Sequence, residues 1–554
     1  MSNLAHFLDQ YRTRTDKVLY KQWVGDGWRD FTVGEVFELA ARWQEAFRRH
    51  ALEKGDRVAL CLRNGAHWVG IDQAALGMGL VVVPLYVSDN AENIAYCAGN
   101  SDARILVLEN DRMVDTMRRS MSHEPIIVCL QGGPERGAEN VDQWLPPAAR
   151  AFEVLELERD ALATICYTSG TTGRPKGAKL SHHNIMSNVD AVLQAVDLHD
   201  DDLLLSIIPL SHMFERTAGY YTPLKRGIAV AYSRGVQQIA DDLQAIRPTI
   251  LMAVPRIYER FLARIEQGLG ESKLKRMLFH RTVELGWRIY LKEAGPLEHL
   301  QYRLLKRMVA DRILQRLGGR VRLSVVGGAA VEERIAKTFI GLGLSMLQGY
   351  GLTECSPVVA ANREGDPDPT SCGYPLKGVE IRVNDDHELL VRGPNVMLGY
   401  WRDPEATAKV LDAEGWFNTG DQVEIKNGKI YIRGRTKDIL VLSNGEKLPT
   451  EAVETAIMND PTFEQVMLVG DGRAYVILVA VTQETDEKKL VKRANEQLKA
   501  FPRYVRVRRV IREKEPWTVE NGALTPTMKI KRREVVQRYK SQIDAIYSND
   551  RLAD

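Results

Sequence analysis

Tyr167-Thr-Ser-Gly-Thr-Thr-Gly-Arg-Pro-Lys-Gly177 follows directly on the apolar run Ala163 to Tyr167 and sets Gly170, Gly173 and Gly177 among hydroxyl side chains. Glycines let successive backbone N–H groups turn toward an anion, and Thr168, Ser169, Thr171, Thr172 and Lys176 add further donors. A strand that runs into such a segment reads as a strand–loop phosphate cradle of an α/β protein. A Walker A loop is excluded, because it needs glycine before the lysine and Ser or Thr after it, whereas Lys176 stands between Pro175 and Gly177. The kinase pattern G-x-G-x-x-G does not fit either. A polar surface turn is the plainer alternative.

Outward from this loop, apolar runs of strand length alternate with longer amphipathic stretches: Arg57 to Leu62, Val81 to Leu85, Arg104 to Leu108, Ile126 to Leu130, Thr249 to Val254 and Leu323 to Val326. That rhythm predicts α/β structure with mostly buried parallel strands. Between Ile257 and Gly319 it gives way to long helices, with Leu304, Leu305, Met308, Val309, Ile313 and Leu317 at three- and four-residue spacing and Lys273, Lys275, Arg276, Arg303, Lys306 and Arg307 on the polar faces. A basic amphipathic segment of this kind suits either solvent or an anionic membrane surface. After Gly378 the chain turns β-rich. Asn427-Gly428 suits a type I′ hairpin turn, which pairs Lys426 with Lys429 and puts Asp421 opposite Gly434, next to Arg435. The terminal portion alternates helix and strand as a small α+β unit.

The 554 residues suffice for several folding units, and 44% hydrophobic with 27% charged residues is ordinary globular composition. Balance between 75 Lys+Arg and 73 Asp+Glu argues against a surface devoted to nucleic acid. Cys61, Cys97, Cys129, Cys166, Cys355 and Cys372 form no C-x-x-C pair, so neither a zinc site nor a disulfide framework is expected. No signal or transit peptide is evident, and the longest apolar stretch, Ala74 to Val87, is too short to span a membrane. A cytoplasmic protein is expected, with peripheral contact at the inner membrane face left open; the oligomeric state is unspecified.

The loop at Tyr167 to Gly177 resembles the signature loop of the adenylate-forming superfamily, and further segments resemble its other motifs across nearly the whole chain. The resemblance implies a large N-terminal domain, residues 1–436, of stacked α/β subdomains plus a β-rich subdomain, and a small mobile α+β C-terminal domain, residues 437–554. It assigns ATP or AMP binding to Thr168, Ser169, Gly170, Thr171, Thr172, Gly173 and Lys176, and to Gly328 and Ala329 in the adenine-lining segment Val326-Gly-Gly-Ala-Ala330. Gln348-Gly-Tyr-Gly-Leu-Thr-Glu354 adds Gln348, Gly349, Tyr350 and Gly351, with Thr353 on the α-phosphate and Glu354 helping to hold Mg²⁺. Asp421 takes the ribose hydroxyls and Arg435 the ribose or phosphate.

By the same resemblance, His212 in Pro209-Leu-Ser-His-Met-Phe-Glu215 borders the carboxylate and acyl entrance. Lys437 is the hinge, Gly445 lines the CoA tunnel, and Lys529 in Leu524-Thr-Pro-Thr-Met-Lys-Ile-Lys-Arg-Arg533 is the catalytic lysine, with Lys531 second. The family usually has glycine where Met528 stands. Taken singly, Glu354 reads as a capping acid, Asp421 with Arg435 as a salt bridge, His212 as a core histidine and the terminal lysines as a basic tail. Val254-Pro-Arg-Ile-Tyr-Glu259 and Trp517-Thr-Val-Glu-Asn-Gly-Ala-Leu-Thr-Pro526 resemble long-chain fatty-acid members. The implied activity is a long-chain fatty-acid–CoA ligase using ATP, CoA and Mg²⁺. The alternatives are a fatty acyl-AMP ligase that loads a carrier protein, and a non-catalytic nucleotide-binding protein.

Overall fold

A computed structural model describes residues 2–121, 124–168, 174–329, 331–366, 368–435, 439–443, 446–499, 501–525 and 528–550. Two large sheets carry the first three-quarters of the chain. In the seven-stranded sheet the order is Glu139–Asn140, Ile126–Gln131, Ala103–Asn110, Arg57–Cys61, Val81–Pro84, Leu162–Thr168 and Lys176–Ser181. Its strands run parallel except for the last pair, where Thr168 pairs with Lys176 on either side of the glycine loop. The apolar runs fill it: Val58, Leu60, Val82, Ile105 and Val107 are fully buried, as expected for parallel strands covered on both faces.

The nine-stranded sheet has the order Tyr374–Pro375, Val358–Ala361, Ser345–Gly351, Leu323–Val326, Ile250–Ala253, Leu203–Ser206, Ala229–Tyr232, Val18–Val24 and Gly27–Thr32. Its core is parallel and its edges antiparallel. The strand rhythm read from the sequence did not include the N-terminal hairpin Val18–Thr32, whose residues are mostly half-buried and give no continuous apolar run.

Between the sheets, Arg216 is fully buried and gives Nη2 to Asp72 Oδ1 at 2.5 Å, Nη1 to Thr164 Oγ1 at 2.7 Å and Nε to the Tyr221 hydroxyl at 3.0 Å. The hydroxyls of Tyr220 and Tyr221 complete the Asp72 shell. Asp72 and Thr164 belong to the first sheet's layers, and Arg216 to the π-helical turn Glu215–Tyr221 that follows His212. This network ties the two α/β units together immediately behind that turn. Removing one partner of such a pair costs about 3–5 kcal/mol, because the other charge is left buried and unpaired.

The helices expected after Ile257 are Pro255–Leu269, Lys273–Tyr290 and Pro296–Leu305, the last continuing through a π turn to Asp311–Gln315. Helix Lys273–Tyr290 packs on helix Glu333–Gly341 at a glycine contact, where a Cβ on Gly286 would stand 1.9 Å from the Gly341 carbonyl oxygen. No helix among the described residues is long and apolar enough to cross a membrane.

Beyond Gly378 an antiparallel sheet of Glu380–Val383, Glu388–Arg392, Phe417–Lys426 and Lys429–Arg435 forms, and Asn427 and Gly428 both have positive φ, as a type I′ turn requires. The C-terminal residues form a smaller α+β unit around Gln465–Val469, Val476–Val481 and Val507–Glu513, with its own apolar core.

Candidate functional site

Strand Ser345–Gly351 delivers Gln348, Gly349, Tyr350 and Gly351 to the end of the parallel sheet, where the chain turns into Thr353–Cys355. Gly351 is required there, since a Cβ would stand 2.1 Å from the Pro357 carbonyl oxygen. Gln348 is buried: its Oε1 accepts from Val331 N at 3.2 Å, and its backbone N–H donates to Asn362 Oδ1 at 2.8 Å. Gly328 and Ala329 are exposed just past strand Leu323–Val326, next to that strand end.

The Tyr350 hydroxyl donates to Asp421 Oδ2 at 2.6 Å, and Arg435 Nε donates to Asp421 Oδ1 at 2.7 Å. Burial, then the Asp421 charge, push the Tyr350 pKa well above the ordinary tyrosine value, so the phenol stays a donor. Asp421 is only 2% exposed, yet a carboxylate accepts about four hydrogen bonds and two positions are filled by these donors. The count along the hairpin had put Asp421 opposite Gly434. It pairs instead with Arg435, and Gln422 pairs with Gly434, because a bulge between Gln422 and Val423 leaves Arg433 without a cross-strand partner in the ladder. The bulge brings the guanidinium directly across from the carboxylate.

Tyr400 links two parts of the site and was not singled out from sequence. Its hydroxyl donates to Glu354 Oε1 at 2.9 Å, and Lys176 Nζ lies 5.4 Å from its ring centroid. Backbone bonds from Leu398 N to Lys179 O and from Trp401 N to Gly177 O hold this segment against strand Lys176–Ser181. Glu354 and Thr353 are half-buried. The available signal was Gly399 beside two aromatic residues, which marks a backbone reversal rather than a chemical role.

His212 ends the segment after strand Leu203–Ser206, and its Nδ1 accepts from Phe214 N at 3.2 Å. Burial first, and the positive charge of Lys529 second, lower its pKa from 6.5 to about 4, so the imidazole is neutral at pH 7. The charge of Lys529 is thus felt at His212 in the large unit although Lys529 belongs to the small one. Its loop is a tight turn: Met528 N donates to Thr525 O, Lys529 N to Thr525 Oγ1 at 3.0 Å, and Leu524 bridges Ile530. Met528 has φ +64°, the left-handed conformation that glycine adopts freely. Three residues past Lys529, Arg532 forks onto Glu454 with bonds of 2.8 and 2.6 Å. Lys531 instead precedes helix Arg532–Arg538.

Two residues past His212, Phe214 helps line an apolar cavity of about 30 Å³. Gly349, Ala218, Val325 and Val358 lie along it, and Val192 and Leu376 are among its other lining residues. Thr168 sits at the end of strand Leu162–Thr168. Ser169, Gly170, Thr171, Thr172, Gly173, Lys437 and Gly445 lie outside the described residues.

A family model described as AMP-binding enzyme matches residues 7–401, and one described as AMP-binding enzyme C-terminal domain matches residues 437–551. The long-chain-fatty-acid–CoA ligase FadD15 of Mycobacterium bovis is 27% identical, over 99% of this chain and 97% of its own. Human long-chain-fatty-acid–CoA ligase 1 is 30% identical over 92% of this chain and 82% of its own. Among solved structures, an anthranilate CoA ligase bound to anthranoyl-AMP superposes with a TM-score of 0.76 at 19% identity, over 97% of each chain, a likeness of fold.

Proposed function

The chain belongs to the AMP-binding enzyme family, and from that premise we propose that it ligates a long-chain fatty acid to CoA at the expense of ATP, releasing AMP and pyrophosphate. In the first half-reaction a carboxylate oxygen of the fatty acid bonds to the α-phosphorus and the bond to the β-phosphate oxygen breaks, leaving acyl-AMP and pyrophosphate. In the second, the CoA sulfur bonds to the acyl carbon and AMP departs. A carboxylic acid with a pKa of about 4.3, by analogy with Glu, is already ionised at neutral pH, so the first half needs alignment and charge neutralisation rather than a general base.

The observation that carries this reading is the position of Gly349. It lies between Gln348 and Tyr350 in the nucleotide strand and also lines the apolar cavity. In this reading an acyl chain entering by the cavity presents its carboxylate beside the nucleotide strand. Tyr350 gives its ring to the adenine, Asp421 its remaining acceptor positions to the ribose, and Arg435 its guanidinium to ribose or phosphate. Thr168, Lys176 and the intervening hydroxyls hold the β- and γ-phosphates. Neutral His212 borders the carboxylate without neutralising it, and Lys529 supplies the cation that the reacting oxygens need. The cavity is smaller than a long acyl chain, so Phe214 and its neighbours move as the chain enters.

Glu354 suits Mg²⁺: it is a single half-buried carboxylate, and no group of three His, Cys, Asp or Glu among the described residues can cage a metal. Such a donor set fits an ion that completes its shell with phosphate oxygens and water. When bound, Mg²⁺ neutralises phosphate charge beside Thr353 and Glu354.

The division into residues 1–436 and 437–554 belongs to this reading, supported by the C-terminal family match that begins at residue 437. Rotation about Lys437 exchanges the Lys529 face for the Gly445 face and admits the CoA thiol. The cytoplasm suits the six cysteines, all buried and unpaired. The test is incubation with Mg-ATP and fatty acids of graded length, with and without CoA, and identification of products by mass. Acyl-CoA formed only with all components supports the ligase. Acyl-AMP persisting in the presence of CoA redirects the reading to a carrier-protein acceptor, and no fatty-acid-dependent pyrophosphate release to a nucleotide-binding protein.

A further inference from the structure

Helix Pro296–Leu305 and the turn that continues it expose Leu297, Leu300, Leu304 and Met308, at 76, 57, 61 and 54% of their surface. Spacings of three, four and four residues put these side chains on one helical face, pointing away from the protein core. Helix Lys273–Tyr290 runs antiparallel beside it, with Arg281 Nη2 donating to Gln301 Oε1 at 3.0 Å. That register brings Leu274 and Met277, 62 and 59% exposed, to the end of the hairpin that carries Leu304 and Met308. Single exposed apolar residues are ordinary, but six on one helical hairpin are not.

The unpaired charges around the stripe are mainly basic, with Glu271 and Glu293 the exceptions. Lys273 and Lys275 begin the first helix, and Arg303 and Arg307 flank Leu304; all four are exposed and form no ion pair among the described residues. The other nearby acids are already engaged, Glu298 with Arg288 and Asp311 with Lys306. An apolar ridge edged with unpaired bases matches a bilayer interface with anionic headgroups, where leucine and methionine enter the acyl boundary and the bases meet phosphates. A second copy docking through the same hairpin would bring a like excess of bases against these, with only Glu271 and Glu293 outside ion pairs among the segment's described acids.

We propose that this helical hairpin docks the protein on anionic lipid surfaces. The stripe and the apolar cavity lie on opposite faces of the nine-stranded sheet: Val325 lines the cavity, whereas the adjacent Val326 packs with Phe279 and Val283 beneath the hairpin. Docking therefore holds the molecule at the surface without forming the mouth of the cavity, and changes to the stripe leave the site itself intact.

The experiment is flotation of the purified full chain with phosphatidylcholine vesicles, with and without about one third phosphatidylglycerol, at about 0.05 and about 0.5 M salt. Wild type is expected to float at least about tenfold better with the anionic vesicles and to be released by the higher salt. The exposed-site pairs Leu300→Glu with Leu304→Glu, and Arg303→Glu with Arg307→Glu, should each lose about tenfold in binding with unchanged thermal melting. Equal flotation on both vesicle types, binding that neither pair weakens, or a dimer in sedimentation that the leucine pair dissolves in place of flotation would overturn the assignment.

Discussion

The charge of Lys529, carried by the C-terminal unit, reaches His212, two residues before the cavity-lining Phe214 in the N-terminal unit, and helps hold its imidazole neutral. In the reaction proposed above, a lysine in this position would neutralise a reacting phosphate or carboxylate beside a histidine that carries no competing charge.

Titration of His212 follows from this pairing. Its folded pKa, about 4, lies below the ordinary 6.5, so the unfolded chain binds the extra proton more readily between those values. The group thus contributes stability above pH 6.5 that is lost as pH falls toward 4. The His212 ring resonance is expected to titrate near pH 4 in wild type and at higher pH in Lys529→Ala, since one of the two lowering causes is gone. An unchanged midpoint would separate the two residues.

Asp421 is the shared acceptor of Tyr350 and Arg435, so the variants should rank. Tyr350→Phe removes one hydrogen bond and keeps the ring; Asp421→Ala strands two donors and removes the proposed ribose acceptor. The first should raise KM for ATP by less than about tenfold. The second should raise it by about ten- to a hundredfold, since bonds to charged groups contribute ~1.5–3 kcal/mol each. Fatty-acid-dependent ATP–pyrophosphate exchange measures both, and equal effects would contradict a ribose role for Asp421.

Met528 holds a left-handed backbone conformation while 48% exposed, so its strain is separable from packing. Met528→Gly should relieve about 1 kcal/mol and leave adenylation intact or faster, whereas a β-branched Met528→Val should slow adenylation by displacing Lys529. Melting temperature and single-turnover adenylation are the readouts.

Ala218 lines the cavity together with Phe214 and Leu347. Ala218→Leu should lower kcat/KM for long acids relative to short ones by about 10-fold or more, because a single methylene is worth ~1–3 kcal/mol in a fitted pocket. A uniform loss across chain lengths would place the acyl chain elsewhere.

Much of this was legible in the sequence because the informative signals are local. The strand before Thr168, the strand run ending at Val326 and the turn at Asn427-Gly428 each announce themselves within ten residues. The Asp421–Arg435 pairing was read one residue out of register, since nothing in the alternation of the Gln422 to Gly434 stretch marks the bulge at Arg433. Tyr400 and the Asp72–Arg216 network escaped for a different reason: each acts through partners far away in the chain, Glu354 for Tyr400, and Asp72 and Thr164 for Arg216. The basic helical segment was visible as composition, but only the packing of Gly286 on Gly341 decides which of its apolar residues face out.

The most direct measurement compares the two half-reactions in Lys529→Ala. Adenylation, followed as fatty-acid-dependent pyrophosphate release, is expected to fall by at least about a hundredfold, as when a positioned charge is removed from a developing transition state. Thioester formation from supplied acyl-AMP and CoA is expected to stay near the wild-type rate. Equal loss of both half-reactions would contradict the assignment of Lys529 to the adenylation step.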